Sequence, residues 1–383
     1  MSKKQVSSSS CRSCAQRLPA PVWVLRDMPK SAQNFPLPGE SESDDPVDLH
    51  ICQCAWCGLV QLANGPVPYF REVIRASGFS SEMTAFRVKQ FSDFVKRFEL
   101  DEHRGIEIGC GHGEYLEILT AQGLRMSGIE FSSQAVRRCI EKGFDVVEGF
   151  IDGPDAAIRE EKFSACFMFN FLEHLPDPGS TLRGIAANLN EGAVGLFEVP
   201  NFEMIVRENM FTEFCTDHLM YFTESTFTQL LAKNGFEVLE SHSIWDNYIL
   251  SALVKKRLPT PVEGFASAQS ALKDSLRLFL DQFSGEKIAV WGAGHQALAV
   301  MAASEISDRI CYVIDSATFK QKRLTPATHL PIVSPDVLET DPPRAIIVMA
   351  AGYSDEIVDF INKRHPGRFT VAVLRGQSIV PNL

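Results

Sequence analysis

The chain has 383 residues, 45% of them hydrophobic and 22% charged, with a formal net charge of −11. That length exceeds one ordinary core and implies two or three domains, and the acidic balance argues against a nucleic-acid partner, which needs a basic footprint. No apolar run reaches membrane-spanning length and the first ten residues lack an apolar signal core, so no membrane partner and a cytoplasmic address are expected.

In chain order, residues 1–70 read as a loop-rich block with prolines at 19, 21, 29, 36, 38, 46, 66 and 68 and an acidic run, Glu40-Ser-Glu-Ser-Asp-Asp45. Apolar periodicity there is too sparse for an independent core, so a staple is expected. Five of the ten cysteines fall within the first 57 residues, including the pairs Cys11-Arg-Ser-Cys14 and Cys54-Ala-Trp-Cys57-Gly58. Each C-x-x-C pair can give two thiolates to one tetrahedral zinc, with Gly58 suited to a tight knuckle. Cys52 is an alternative to Cys54, and unrelated buried or redox-active thiols are the plainer explanation. A closed four-thiolate site has no open position for substrate and would be structural, with a stabilisation on the order of 10–16 kcal/mol.

Residues 80–98 carry Met83, Phe86, Val88, Phe91, Phe94 and Val95 near helical spacing. Strands are then predicted at 104–110, 125–131, 144–150, 163–170, 193–199, 237–245 and 248–256, with helices at 113–122, 132–142, 178–189 and 225–234. This alternation predicts a mostly parallel sheet covered on both faces, closed by an antiparallel hairpin. The prolines in Arg257-Leu-Pro-Thr-Pro-Val262 mark a break. A helix at 266–284 and strands at 287–291, 310–315, 345–349 and 369–373 form a second α/β unit. The domains expected are therefore 1–70, 71–258 and 259–383.

The run Glu107-Ile-Gly109-Cys-Gly111-His-Gly113 breaks a strand into a glycine turn and starts a helix. Glu130 ends the next strand, Met126-Ser-Gly-Ile-Glu130, where a carboxylate can accept hydrogen bonds from a ribose diol. A nucleoside ligand is implied. No lysine follows the glycines, so this is no P-loop. The acid at Glu107 suits the amino-acid tail of S-adenosylmethionine (SAM) and sits badly against the pyrophosphate of a dinucleotide. A glycine turn that merely joins strand to helix is the plainer alternative.

Seven strands with a terminal hairpin resemble the class I methyltransferases. Asn170-Phe-Leu-Glu-His174-Leu-Pro-Asp-Pro178 is similar to that family's segment after the fourth strand, and Gly149-Phe-Ile-Asp152 lies where the family contacts adenine. The resemblance implies SAM contacts from Glu107, Gly109, Gly111, Gly113, Glu130, Phe131, Phe150, Asp152 and Asn170.

Further stretches narrow the likeness. These are Cys54-Ala-Trp-Cys-Gly-Leu-Val-Gln-Leu62, Glu198-Val-Pro-Asn201, Asp217-His-Leu-Met-Tyr-Phe222, Trp291-Gly-Ala-Gly294 and Phe319-Lys-Gln-Lys-Arg-Leu-Thr-Pro-Ala-Thr-His-Leu-Pro-Ile332. Over nearly the whole chain they resemble the three-domain sugar C-methyltransferases, typified by the deoxysugar C-3′-methyltransferases. That resemblance implies a zinc domain, a class I SAM domain and a C-terminal Rossmann-like domain that serves a nucleotide-linked sugar. The zinc ligands are then Cys11, Cys14, Cys54 and Cys57.

In that family a Tyr-His-Glu-His segment supplies the catalytic histidine, and here it reads Cys215-Thr-Asp-His218. By resemblance His218 is the general base, Asp217 its orienting or charge-stabilising partner, Tyr221 a contact to the substrate carbonyl, and His174 a second candidate. Tyr69 or Phe70, with Arg75-Ala-Ser-Gly-Phe-Ser-Ser81, stands where the family contributes an active-site tyrosine, a surface or packing role for Tyr69 being the plainer alternative. Asn201 and Asn247, with Trp245 and Tyr248, are candidate substrate contacts. The missing tyrosine and first histidine leave the regiochemistry open, along with an oxygen or nitrogen acceptor. Gly292-Ala-Gly-His-Gln-Ala297 with Asp315 also fits a nicotinamide fingerprint, which leaves a bifunctional protein as an alternative. A non-catalytic zinc-and-nucleotide scaffold is the remaining one. Oligomeric state is not legible.

Overall fold

A computed structural model describes residues 8–37, 39, 44–72 and 80–382. The chain divides into two compact units, Met1–Leu258 and Pro259–Leu383.

The first unit opens with three strands that the sequence reading missed: β1 (Trp23–Met28), β2 (Val47–Gln53) and β3 (Val60–Leu62). There follow α1 (Ser81–Arg97), β4 (Arg104–Ile108), α2 (Glu114–Thr120), β5 (Arg125–Glu130), α3 (Ser133–Glu141), β6 (Asp145–Glu148), β7 (Phe163–Phe169), α4 (Pro178–Ala187) and β8 (Leu189–Pro200). The unit closes with α5 (Phe202–Arg207), β9 (Met220–Tyr221), α6 (Glu224–Lys233), β10 (Phe236–Ile244) and β11 (Ile249–Lys256).

β1, β2, β3 and β9 form one sheet in that order. Its core joins Leu49, Ile51, Val60 and Leu62 to Phe202, Phe214 and Tyr221. Half of that core lies more than a hundred residues downstream, so no periodicity within residues 1–70 can reveal it. β9 pairs Tyr221 with Val60 and so carries the segment just before it to the N-terminal sheet.

The seven-stranded sheet has the order β10-β11-β8-β7-β4-β5-β6. It is parallel from β8 to β6, while β11 runs antiparallel to β8 and to β10. Alternation along the inner strands fills both faces: Cys166, Met168 and Phe197 face one core, and Ala165, Phe167, Phe169 and Leu196 face the other. The chain leaves β4 toward β5 and β6 and later returns on the other side as β7. The carboxyl ends of β4 and β7 therefore bound the crevice where such sheets bind ligands.

α1 starts at the N-cap Ser80, whose side chain accepts from the Met83 amide. It is pinned by a buried ion pair. The Arg87 guanidinium lies 2.7–2.8 Å from both oxygens of Glu198, with side chains 1% and 0% exposed, and Gln90 and Ser251 also donate to that carboxylate.

The second unit comprises α7 (Gly264–Asp281), β12 (Ile288–Trp291), α8 (His295–Ala303), β13 (Tyr312–Ile314), β14 (Ile332–Val333), α9 (Val337–Thr340), β15 (Ala345–Val348), α10 (Ser354–Arg364), β16 (Thr370–Arg375) and β17 (Ser378–Asn382). Its sheet runs β14-β13-β12-β15-β16-β17. All pairs are parallel except β16 with β17. β14 and β17 escape sequence reading because one has two residues and the other carries Pro381, tolerated on an edge.

Candidate active site

The first element of the site is the turn after β4. Gly109 has φ +69° and Gly113 φ +82°, a left-handed backbone that only glycine adopts cheaply. A Cβ on Gly109 would stand 3.3 Å from the Phe171 ring, and one on Gly113 3.1 Å from Phe144. Gly113 therefore serves the seating of α2 rather than open space for a ligand. The Gly111 amide donates to Glu130 Oε2 at 3.0 Å, and the Ser132 amide to Oε1 at 2.9 Å. Two backbone donors thus aim the strand-end carboxylate at the turn, and the remaining lone pairs stay available for a diol. Glu107 is fully buried beneath it.

Gly109, Glu130, Phe131 and Phe150 line one crevice, with Arg71 and Phe171, which sequence reasoning did not single out. The Arg71 guanidinium lies 5.0 Å from the Phe150 ring centre and 5.6 Å from that of Phe131, a cation–π placement between the two aromatic walls. Asp152 is exposed and is not part of this lining. Asn170 adopts φ +49° and donates its amide to the Glu198 carbonyl. Its Oδ1 is buried without a partner among the described residues, a polar atom that a ligand donor would satisfy.

The second element joins the segment after β7 to the segment before β9. The Leu219 amide donates to the Glu173 carbonyl at 2.8 Å, and His174 Nδ1 lies 2.8 Å from the Asp217 carbonyl. A carbonyl only accepts, so Nδ1 carries the proton. The His174 and His218 rings meet edge to face with centres 4.7 Å apart. Burial brings His218 down to about 4 although the Asp217 charge pushes the other way, and burial followed by His218 holds His174 well below its ordinary value. Both imidazoles are neutral at pH 7. Burial also lifts the Glu173 carboxyl to about 8. One ligand atom from each of Glu173, His174 and His218 falls within 4.8 Å of the others, so the trio could also hold a metal ion.

Asp217 Oδ1 accepts from the Tyr69 hydroxyl at 3.0 Å, the Ala32 amide at 2.8 Å and the Thr216 hydroxyl at 3.3 Å. Tyr69 and Asp217 are thus brought together. Among the described residues no hydrogen bond joins the Asp217 carboxylate to the His218 ring, so Asp217 acts on it through charge. The Ala32 contact has no signal in the sequence, because any residue offers an amide. Residues 73–79 of the stretch following Tyr69 lie outside the described residues.

Three expected contacts are placed differently. The Tyr221 hydroxyl exchanges bonds with the amide and carbonyl of Cys215, and its ring packs on Phe202 and Phe214. It supports the turn before His218, and its hydroxyl is committed to backbone. Asn201 caps α5 through the Glu203 amide and donates to the Asn247 carbonyl. Asn247 in turn accepts from Ser243. Asn201 has both side-chain polar atoms engaged in these turns, and Asn247 its Oδ1.

The four cysteines converge. Cys11 Sγ lies 3.5 Å from Cys57 Sγ, Cys14 Sγ 3.5 Å from Cys54 Sγ, and all four sulfurs fall within 4.8 Å. Thiolates around one tetrahedral zinc stand roughly 3.8 Å apart, so the donor set fits a four-coordinate thiophilic ion. Each pair sits on its own turn of the same form: Ala15 N donates to Cys11 O and Gly58 N to Cys54 O, with φ +62° at Ala15 and +79° at Gly58. Cys52 points its sulfur at the Pro19 carbonyl instead. Burial opposes ionisation of Cys54, but the amides of Cys57 and Trp56 outweigh it and bring the thiol to about 7.

Comparison with known proteins fits this geometry. Residues 83–241 match the model of a methyltransferase domain, and residues 255–373 that of the C-methyltransferase C-terminal domain. The chain is a SAM-dependent methyltransferase. The C-methyltransferase NovU of Streptomyces niveus is 22% identical over 361 residues, covering 86% of each chain. The ubiquinone biosynthesis O-methyltransferase of Stutzerimonas stutzeri is 30% identical over 113 residues, which span 27% of this methyltransferase and 49% of that one. Among solved structures, a SAM-dependent methyltransferase from Clostridium acetobutylicum ATCC 824 aligns with 44% of this chain and 92% of its own, at 13% identity and a TM-score of 0.37.

Proposed function

We propose that this enzyme moves the SAM methyl to a carbon beside a carbonyl, on a keto-sugar attached to a nucleotide, with His218 as the base. The single observation that carries this is a neutral, half-buried imidazole at His218, beside the charge of Asp217 and in ring contact with His174. Carbon is a poor nucleophile until a proton beside a carbonyl is removed. His218 takes that proton, and the electron pair moves through the enolate to the methyl carbon. A C–C bond forms, the C–S bond breaks with its electrons going to sulfur, and the imidazolium later returns the proton to water. Glu130 would accept the ribose hydroxyls of SAM, Phe131 and Phe150 would line the adenine side of the crevice, and Glu107 and Asn170 would serve its amino-acid end. Tyr69 gives its one hydroxyl proton to Asp217 Oδ1 and so would hold that carboxylate beside His218. The match of the second unit to a C-methyltransferase domain and the overall likeness to NovU support a carbon acceptor. A single zinc on Cys11, Cys14, Cys54 and Cys57 is structural in this account.

Replacing His218→Asn should cut turnover by roughly 10²–10⁴-fold and leave the SAM dissociation constant nearly unchanged by calorimetry. Full turnover in that variant removes His218 from the mechanism.

One observation favours a second acceptor class. A divalent ion on Glu173, His174 and His218 would lower the pKa of a hydroxyl and direct the methyl to oxygen. Activity that vanishes after dialysis against a chelator and returns with a divalent ion, while the cysteine site stays loaded, would support it.

A further inference from the structure

The crevice between Gly109, Glu130, Phe131 and Phe150 is filled at its mouth by a side chain of the protein itself. The Arg71 guanidinium lies 5.0 Å from the centre of the Phe70 ring, 5.0 Å from that of Phe150 and 5.6 Å from that of Phe131. Phe70 meets Phe150 edge to face at 5.9 Å, and Phe150 meets Phe171 at 6.3 Å. The space left in the crevice is about 10 Å³. That is room for about one water molecule, whereas small-molecule sites run to roughly 300 Å³ and more.

The framework of the crevice has little freedom to supply the missing space. Ile108, Ile129 and Ile151 belong to the packed core under the sheet. Glu130 is fixed by the amides of Gly111 and Ser132. Arg71 differs from all of these. It is exposed and stands on a surface turn, where the Phe70 amide donates to the Val67 carbonyl at 3.1 Å and the Glu72 amide to the Tyr69 carbonyl at 2.7 Å. Exposed side chains change rotamer quickly, so the long stem can carry the guanidinium out while the turn keeps its backbone bonds. The guanidinium is flat, and it is drawn to aromatic rings. It therefore fits the same slot between two rings that suits a flat purine.

We infer that Arg71 is an internal competitor for the adenine seat: its guanidinium occupies the slot between Phe131 and Phe150, and SAM displaces it on binding. The inference rests on the reading that places adenine between those two rings, and not on which atom is methylated. The competition lowers the apparent affinity of every adenosine ligand in proportion to the time the slot stays filled. It acts on the product S-adenosylhomocysteine as well as on SAM, and so works against retention of the product. A guanidinium that served instead as a stacking wall for adenine would act with the opposite sign.

The test is calorimetry on the full chain, with S-adenosylhomocysteine and adenosine titrated in turn. Adenosine is uncharged, so a change in its affinity does not report the lost charge of Arg71. Arg71→Ala should bind both ligands about threefold or more tightly, which is what one or two exposed cation–π contacts are worth. Glu130→Gln tests the underlying reading, and should weaken both by about tenfold or more through the lost charged acceptor for the ribose. If Glu130→Gln weakens binding while Arg71→Ala binds no tighter than the parent, or more weakly, the competitor role is overturned and the SAM site stands. If Glu130→Gln binds as the parent does, the site and the competitor fall together.

Discussion

Burial decides the protonation of the residues around His218. Its folded value near 4 lies below the ordinary 6.5, so between those limits the unfolded chain binds more protons and stability falls as pH drops. Glu173 has the opposite sign. Its folded value near 8 lies above 4.5, so the folded state binds more protons and stability falls as pH rises between those values. The catalytic consequence is an acid limb of kcat/KM near pH 4 rather than near 6.5, because His218 stays neutral and competent down to that point. An acid limb at the ordinary imidazole value would contradict the burial argument. Tyr69 offers a second check. Tyr69→Phe removes the hydroxyl that donates to Asp217 beside His218. It should therefore lower kcat by about tenfold or more while SAM affinity holds, and an unchanged kcat would return Tyr69 to a packing role.

Among the elements, α1 matters more than its surface position suggests. Its Arg87 reaches across to Glu198 on β8, and Gln90 and Ser251 complete the shell of that carboxylate. Removing one member of a buried pair leaves the other charge stranded, so Arg87→Met should cost about 3–5 kcal/mol in denaturant unfolding. Arg87→Met combined with Glu198→Gln should recover part of it. A single variant as stable as the parent would deny the pair its role. The pair is invisible to spacing: α1 was legible from its apolar periodicity, and Arg87 sits within that periodicity as an apparent surface residue. The strands β4 to β8, β10 and β11 and the glycine turn were legible because their patterns are local, while the two-residue β9 was not. β1, β2 and β3 were not, since their partners are Phe202, Phe214 and Tyr221. In the same way, Tyr221 and Asn201 stand in motifs that mark a functional segment. Which of their atoms face a ligand depends on hydrogen bonds to Cys215, Glu203 and Asn247 that no spacing encodes.

For the whole molecule, the cysteine cluster is part of the first unit's core: Cys11, Cys54 and Leu59 share a packed cluster with Met220, Phe222 and Phe227. The N-terminal segment also delivers the Ala32 amide to Asp217. Metal loss should therefore reach the active site. Elemental analysis should find one zinc per chain, and Cys54→Ser should lower both the melting temperature and turnover. A metal-free preparation with full activity and stability would make the four thiols incidental. The central claim is transfer to carbon. It is tested most directly by turnover of a nucleotide-linked keto-sugar with SAM carrying a ¹³C-labelled methyl, followed by NMR of the product. The account predicts a label bonded to a sugar carbon, visible as direct ¹³C–¹³C coupling in a uniformly labelled sugar. A label found only as a methoxy or N-methyl carbon, without that coupling, would contradict it.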